Sequence, residues 1–197
     1  TSASLTAGVG TLILLNSGDN ADDLFGTATV TGTTYKVGTG GLTLGSGIGF
    51  GGAGTIRDSL TTDGGNVIAT EDWYIELQNG LTQVGGTVDL GSGRLDGALS
   101  LTGSGVLTTT GDVDINGYTQ DSGSATLGGG TIAGGVTITG GDVTSSAIVI
   151  VNEASGISGG SLTANSILVG TGGDGTWTNT GGDVTTSGTT LVLGEFT

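Results

Sequence analysis

Residues 85–143 read GGTVDLGSGRLDGALSLTGSGVLTTTGDVDINGYTQDSGSATLGGGTIAGGVTITGGDV, and this stretch decides the fold class. Short runs in it alternate apolar and polar residues, and Gly, Ser, Asp or Asn separate these runs every few residues. Such alternation is typical of a strand with one buried face, and the small residues between the runs are turn formers. The clearest alternations are Val88-Asp89-Leu90, Leu99-Ser100-Leu101, Val113-Asp114-Ile115 and Val136-Thr137-Ile138. The stretch therefore predicts a succession of very short strands.

A repeated step, Gly-Gly-polar-apolar, organises a longer part of the chain. It occurs at Gly64–Val67, Gly85–Val88, Gly129–Ile132, Gly140–Val143, Gly159–Leu162 and Gly181–Val184. The intervals are irregular multiples of about ten residues, many of them near twenty, and periods of roughly 20 to 50 residues are typical of solenoids. Since a unit of this length holds two or three short strands, one turn of a parallel β-helix fits it.

Stacking explains how such short strands are stable. A short strand that lies ~4.8 Å beneath a similar strand gains backbone hydrogen bonds on both sides. Glycine supplies the left-handed backbone that the corners require. We therefore predict an all-β fold, namely a parallel β-helix (β-solenoid) of short rungs. An antiparallel β-sandwich is the alternative, because short strands at even spacing also describe that fold.

A single β-solenoid domain is expected over residues 1–197. Within it, residues 1–37 are predicted to form an N-terminal cap or opening rungs, and residues 38–193 the repeat rungs. Residues 190–197 are expected to provide a closing strand.

The sequences of two segments each fit more than one secondary structure. Residues 38–54 are dominated by glycine, but Leu and Phe at alternate positions favour thin strands over a flexible linker. Residues 69–77 contain an N-cap candidate, Thr70, followed by acidic residues, which is a pattern that begins a helix. The run Trp73-Tyr74-Ile75 also fits a strand, and we expect a strand there.

Composition excludes several classes of function. The chain has 18 acidic residues against three basic ones, and it contains no His, Cys, Pro or Met. Three cations cannot line a phosphate backbone, so we expect no nucleic-acid partner. No apolar stretch approaches the ~20 residues of a membrane span. Without Met, the chain is expected to be a processed product or part of a longer protein.

An acidic loop is the candidate metal site. Asp19, Asp22 and Asp23 lie within five positions together with Asn20, and Ca²⁺ takes about six to eight oxygen ligands of this kind. The loop resembles one degraded copy of the Gly/Asp nonapeptide of calcium-binding β-rolls. A solvated turn is the alternative. We therefore expect no cofactor, or Ca²⁺ alone.

The acidic residues Asp112, Asp114 and Asp121 are the candidates for catalysis. Asp112 and Asp114 flank Val113, so on a strand both side chains point to the same face. Paired carboxylates perform glycosidic acid/base chemistry when they lie about 5 to 9 Å apart. However, any half-exposed acidic strand has this pattern, and no cluster of aromatic or basic residues accompanies it. We therefore expect a protein that is not an enzyme.

Threonine and tryptophan are the remaining candidates for binding. Closely spaced threonines occur at Thr27/Thr29/Thr31, Thr137/Thr139 and Thr176/Thr178/Thr180. Stacked on adjacent rungs they would form the array of hydroxyls and methyls that ice-binding solenoids present, and ordinary β-favouring surface threonine is the alternative. Trp73 and Trp177 either stack against sugars or plug an end or corner of the coil.

The Gly/Thr-rich segments 129–141 and 175–185 resemble the repeats of large bacterial surface proteins, namely autotransporter passengers and filamentous-haemagglutinin-like adhesins. The resemblance covers roughly residues 85–193 and is compositional. It implies a right-handed parallel β-helix that is exported and acts in adhesion, aggregation or matrix building. The given chain departs from that pattern in being much shorter than such passengers.

These observations lead us to expect a non-catalytic extracellular structural protein: a surface fibre, surface-layer or adhesin segment at the cell surface. We expect a homo-oligomer or polymer formed end to end by rung stacking, and surface glycans are candidate partners. The expected self-association residues are the apolar runs near each end: Leu12, Ile13, Leu14, Leu15, Leu191, Val192 and Leu193. A glycan-, ice- or calcium-binding module is the alternative, followed by a polysaccharide-cleaving β-helix enzyme. An even row of outward threonines on one face would favour the binding module.

Overall fold

The computed structural model describes residues 12–15, 27–37, 41–46, 49–57, 59–69, 74–171, 174–188 and 191–193. Over these residues it is all-β, with 22 strands and no helix. In chain order the strands are β1 Leu12–Leu15, β2 Thr27–Val37, β3 Leu42–Gly45, β4 Gly49–Ile56, β5 Leu60–Asp63, β6 Asn66–Ala69, β7 Ile75–Leu77, β8 Leu81–Gln83, β9 Thr87–Asp89, β10 Leu95–Leu101, β11 Val106–Thr108, β12 Val113–Gln120, β13 Ser124–Leu127, β14 Gly130–Ile138, β15 Asp142–Ser145, β16 Ile148–Val151, β17 Ala154–Ile157, β18 Ser161–Ala164, β19 Ser166–Val169, β20 Thr176–Asn179, β21 Asp183–Thr186 and β22 Leu191–Leu193.

The strands stack into three parallel ladders, which form the sides of the coil. Sheet one consists of β3, β5 and β8, the C-terminal halves of β10, β12 and β14, and then β17 and β20. Sheet two consists of the N-terminal halves of β2 and β4, followed by β6, β9, β11, β13, β15, β18 and β21. Sheet three consists of β1, the remaining halves of the long strands, β7, β16, β19 and β22.

The chain visits the three sheets in a fixed order, and each circuit forms one turn of a β-solenoid of about seven turns. Partners in adjacent turns of sheet one differ in number by 18 at Leu42↔Leu60 and by 22 at Ala154↔Thr176. The corners absorb this difference in length, while the strands keep their register. The pairings between the named strands are all parallel, so the predicted β-solenoid is confirmed and the antiparallel sandwich is wrong.

The core of the solenoid consists of the apolar residues of the alternating runs. In sheet one the first inward position is occupied on successive turns by Leu42, Leu60, Leu81, Leu99, Tyr118 and Val136, all of them buried. Each side chain therefore lies directly over the equivalent side chain of the previous turn. The residue that follows each of them points to solvent, as a period of two requires.

One glycine step opens β14, where the chain enters sheet three. The other five lie at one corner of the coil, where each precedes a strand of sheet two (β6, β9, β15, β18 and β21). At this corner Gly160 has a φ of 73°, and a Cβ placed on it would lie 2.1 Å from the carbonyl oxygen of Gly141 one turn below. The same oxygen accepts a hydrogen bond of 2.9 Å from the N–H of Ser161. Glycine is required here both for its backbone conformation and for the close approach of two turns.

The two segments that fitted more than one secondary structure, residues 38–54 and 69–77, both contain strands. β3 and β4 lie within residues 38–54 or begin there, which confirms thin strands over a linker. β7 begins at Ile75, so the described part of the second segment is a strand, while residues 70–73 lie outside the described residues. The division into an N-terminal cap, repeat rungs and a closing strand stays a prediction.

Candidate functional site

The predicted calcium ligands Asp19, Asp22 and Asp23 lie outside the described residues. Within the described ranges, no three acidic side chains lie close enough together to hold a metal ion. In the same part of the chain, no helix is long and apolar enough to cross a membrane.

The predicted self-association residues form the strands at the two ends of sheet three. Leu12–Leu15 is β1, whose described partner is β2, and Leu191–Leu193 is β22, whose described partner is β19. Each strand is therefore paired along one edge within the described part of the chain. Unpaired strand edges are templates for pairing with another chain.

The last described turn leaves partly exposed the side chains that are buried in the preceding turns. Trp177 continues the inward row of sheet one, where Val136 is 1% exposed and Ser155 is 8% exposed, yet Trp177 is only partly buried. Val184 of β21 is likewise partly buried, whereas its neighbour Leu162 one turn below is 2% exposed. Trp177 packs against the core in this turn, and its stacking against sugars stays a prediction.

A row of hydroxyl side chains runs along the outer face of sheet one. It occupies the central position of the strands in successive turns: Thr43, Thr61, Thr82, Ser100, Thr119 and Thr137. Gly156 interrupts the row, which resumes at Thr178. A second row on sheet two consists of Thr108, Thr126, Thr144, Thr163 and Thr185. Neighbours along each row are separated by about 4.8 Å, the spacing of adjacent strands.

These rows were missed in the sequence, where only threonines that are close in number were noted. Their signal is a hydroxyl residue between two inward residues, as in Leu81-Thr82-Gln83 and Val136-Thr137-Ile138. The rows become visible only when strands are aligned at steps that vary from turn to turn. Such alignment needs the register of the ladder.

An open groove of about 400 Å³ borders the first of these rows. Thr82, Ser100, Thr119 and Thr137 of the row line it, and so do Asn116 and Glu153. The groove follows the corner where β10, β12 and β14 bend from sheet three into sheet one, and the ladder shifts its register there. β-bulges of this kind redirect side chains and are common beside functional sites.

Small residues create the depth of this groove. The position before the inward residue of sheet one is Ala98, Gly117 and Gly135 on successive turns. A Cβ on Gly117 would meet no atom within 4 Å, so the space beside it is open. The groove is therefore continuous across these turns of the solenoid.

The candidate catalytic carboxylates belong to an ion-paired acidic patch. Asp112 and Asp114 are exposed on either side of the buried Val113, as the alternation predicts. Arg94 Nη2 lies 3.3 Å from Asp114 Oδ2, and Arg94 Nε also donates a hydrogen bond to Asp96. The hydrogen bond with Asp96, supported by the charge of that carboxylate, raises the pKa of Arg94 above its usual value. A permanent cation therefore lies among these carboxylates.

Asp121 lies in a different environment from that pair. Its carboxylate accepts hydrogen bonds from the Ser122 hydroxyl, at 2.6 Å, and from the Gly103 N–H, at 3.1 Å. These bonds stabilise the ionised form and lower the pKa of Asp121 below its usual value, with Ser122 as the larger cause. Asp121 is therefore more strongly ionised than an ordinary aspartate, which is the opposite of what a general acid requires.

Polar side chains inside the coil hold the glycine corner. Gln83 Nε2 donates to the carbonyl oxygens of Gly86, at 3.0 Å, and of Val106, at 3.1 Å. Gln120 occupies the equivalent position further along, and the buried Tyr118 hydroxyl donates to its Oε1. Burial raises the pKa of Tyr118 far above its usual value. These contacts satisfy carbonyl groups and serve structure.

The fold and its surface define a three-sided parallel β-solenoid with hydroxyl rows on two sides and partly buried inward side chains in its last described turn. No protein-family model, curated protein or solved structure matches the chain.

Proposed function

We propose that this chain is a non-catalytic structural component of a cell exterior, acting as a segment of a surface fibre, a surface layer or an adhesin. In this proposal the solenoid is a rod that associates end to end by adding turns of a second copy to its own ladder. The rod then works mechanically, by transmitting load through backbone hydrogen bonds that run along its axis.

The observation that carries the proposal is the partial burial of two inward side chains in the last described turn. Trp177 and Val184 continue rows whose residues in the preceding turns are buried wherever the structure describes their side chains, yet both are only partly buried. Within the described part of the chain, β20 pairs only with β17 and β21 only with β18. A further turn stacked on this end would bury apolar surface and pair free backbone groups at the same time.

Charge supports association at the ends over association at the sides. The net charge is −15 and most of the described carboxylates are exposed, so like-charged lateral surfaces repel one another. Backbone pairing at an end needs no charge complementarity, because its hydrogen bonds are between N–H and C=O groups. Linear rods are therefore favoured over bundles at low ionic strength.

The alternative of a binding module gains support from the hydroxyl row of sheet one. An even row of outward threonines on one face was the feature expected to favour that alternative, and the row of sheet one borders the open groove. A rod that both assembles and binds along its sides combines the two proposals.

The test of assembly compares two single substitutions on adjacent residues of β21. Val184→Asp places a charge on the uncovered inward face, whereas Thr185→Asp places the same charge on the outer face. We expect filaments of uniform width from the wild type and from Thr185→Asp in negative-stain electron microscopy and sedimentation. Val184→Asp should give short rods only, and deletion of residues 1–15 should do the same.

Circular dichroism of each variant separates a failure of assembly from a failure to fold. Filaments that persist in folded Val184→Asp and in the truncated chain would refute end-to-end stacking. A wild type that is monomeric at every concentration would refute it as well.

A further inference from the structure

We propose that the groove beside the hydroxyl row of sheet one binds an extended, uncharged polysaccharide that runs parallel to the solenoid axis. This inference deepens the binding alternative above, and it does not depend on end-to-end assembly. The groove is lined by Thr82, Ser100, Thr119 and Thr137 of the hydroxyl row and also by Asn116 and Glu153.

The chemistry of the walls matches sugar hydroxyls. A threonine or serine hydroxyl both donates and accepts, an asparagine amide does the same through two atoms, and a carboxylate accepts. Thr82, Thr119 and Thr137 are exposed, and Ser100 is half-buried. A polyhydroxylated ligand can therefore exchange hydrogen bonds with every polar group along the groove.

The periodicity of the wall indicates a polymer. One hydroxyl recurs on each of four successive turns, at the strands β8, β10, β12 and β14. Their separation of about 4.8 Å per turn is fixed by the ladder. A ligand that uses all four positions must be extended along the axis and offer similar groups at regular intervals, which is how a linear polysaccharide is built.

Charge determines which polysaccharide fits. Among the described residues, Glu153 is the one charged side chain that lines the groove, and the chain as a whole carries a net charge of −15. A polyanion would be repelled, and no cation of the groove would offset that repulsion. The fitting ligand is therefore neutral.

An extended peptide fits this groove less well than a glycan. Peptides commonly bind sheets by pairing with an unpaired strand edge, whereas β8, β10, β12 and β14 are neighbours within one ladder and already pair with one another here. The apolar side chains of the floor are also covered, since Leu81 is 2% exposed and Tyr118 1% exposed. The groove thus offers a peptide neither backbone partners nor deep side-chain pockets.

Weak contacts repeated along a chain predict that affinity grows with ligand length. Each hydroxyl contact contributes little alone because it replaces a contact with water. Once one sugar is bound, neighbouring sugars bind at a high effective concentration. A polymer should therefore bind measurably where a tetrasaccharide of the same sugar does not.

The test is affinity electrophoresis of the full chain in gels that contain dextran, a mannan, a galactan or a mixed-linkage β-glucan. Gels with polygalacturonate and with poly-lysine test the two signs of charge. We expect at least one neutral polymer to retard the wild type and polygalacturonate to have no effect. The assembly variant Val184→Asp should be retarded equally, which separates this inference from the proposal of end-to-end stacking.

Two pairs of matched variants locate the binding site. Ala98→Trp fills the groove at a position that already carries a Cβ, and Thr126→Trp adds the same ring on sheet two. The double substitution Thr119→Val/Thr137→Val removes two hydroxyls while keeping β-branched shape, and Thr126→Val/Thr144→Val is its control. We expect each groove variant to weaken binding about ten-fold or more and each control to leave it unchanged.

The proposal is overturned if no neutral polymer retards the wild type or if only poly-lysine does. It is also overturned if the folded groove variants bind as tightly as their controls. Circular dichroism establishes that each variant is folded before its binding is compared.

Discussion

The substitution Gly160→Ala tests the physical explanation of the glycine corner. Gly160 has a φ of 73°, a conformation that residues with a Cβ rarely adopt. Its added methyl group would also lie 2.1 Å from the Gly141 oxygen, which accepts the hydrogen bond of the next strand. The variant therefore combines backbone strain with a displaced rung contact.

The expected cost follows from these two effects. A left-handed conformation costs a residue with a Cβ roughly 1–2 kcal/mol. Moving the Gly141 carbonyl group away from the methyl group weakens one ladder hydrogen bond, which is worth about 0.5–1.5 kcal/mol. We therefore expect Gly160→Ala to lower the free energy of unfolding by roughly 1.5–3.5 kcal/mol, as the sum of the two effects.

Substitutions at two further glycines separate the cost of the left-handed backbone from the cost of the close contact between turns. A Cβ on Gly156 would lie 2.3 Å from the Thr178 oxygen, but no positive φ is involved, so Gly156→Ala tests the clash alone. A Cβ on Gly85 would meet its nearest atom at an ordinary 3.5 Å, also without a positive φ. Gly85→Ala should be neutral or stabilising by up to about 1 kcal/mol, because it reduces the entropy of the unfolded chain.

Urea unfolding followed by circular dichroism measures this series at one protein concentration. The expected order of stability is Gly85→Ala first, then Gly156→Ala, then Gly160→Ala. A Gly160→Ala variant as stable as Gly85→Ala would show that neither φ nor the close approach of turns decides the corner residue. A fall in the slope of the transition would indicate instead that single turns unfold separately.

Two further predictions concern the polar groups of the structure. Burial raises the pKa of Tyr118 above the value of about 10 that it has in the unfolded chain, so the unfolded state loses its proton first. The contribution of the buried Tyr118 side chain to the free energy of unfolding is therefore complete below pH ~10 and falls as the pH rises further. Tyr118→Phe should remove this alkaline dependence in urea unfolding between about pH 8 and 11. It should also cost about 1–3 kcal/mol at neutral pH, since Gln120 Oε1 loses its donor; an unchanged alkaline slope would contradict the assignment. NMR titration should give Asp121 a pKa below that of an ordinary aspartate. The stability that its ionised carboxylate adds to the fold is therefore lost as the pH falls through that lowered pKa. Ser122→Ala should move the pKa upward, and an unmoved pKa would show that the Ser122 hydroxyl is not the main cause.

The fold class could be read from the sequence because two signals agree on it. Alternating runs such as Val136-Thr137-Ile138 fix strands with one buried face, and the Gly-Gly steps recur at the length of a solenoid turn. The preference for strands over a linker near Leu42 rested on the same alternation and was correct. Local patterning was sufficient here because every strand meets its partners one turn away.

The candidate site was harder to read because it depends on register. Thr82, Ser100 and Thr119 are separated by 18 and 19 positions, and no fixed period places them in one row. The bends of β10, β12 and β14, which open the groove, are also invisible in the residue pattern, since Ala98 and Gly117 look like ordinary turn residues. The partial burial of Trp177 could be found only once its row was traced through the ladder.

The short separation between ladder partners has a consequence for how the chain acquires its structure. Strands of sheet one pair with residues only 18 to 22 positions away, although the described solenoid extends over most of the sequence. Two neighbouring turns can therefore nucleate, and later turns can add to them one at a time. A chain delivered end first through a narrow passage could order itself as it emerges, and each newly ordered turn would hinder it from sliding back.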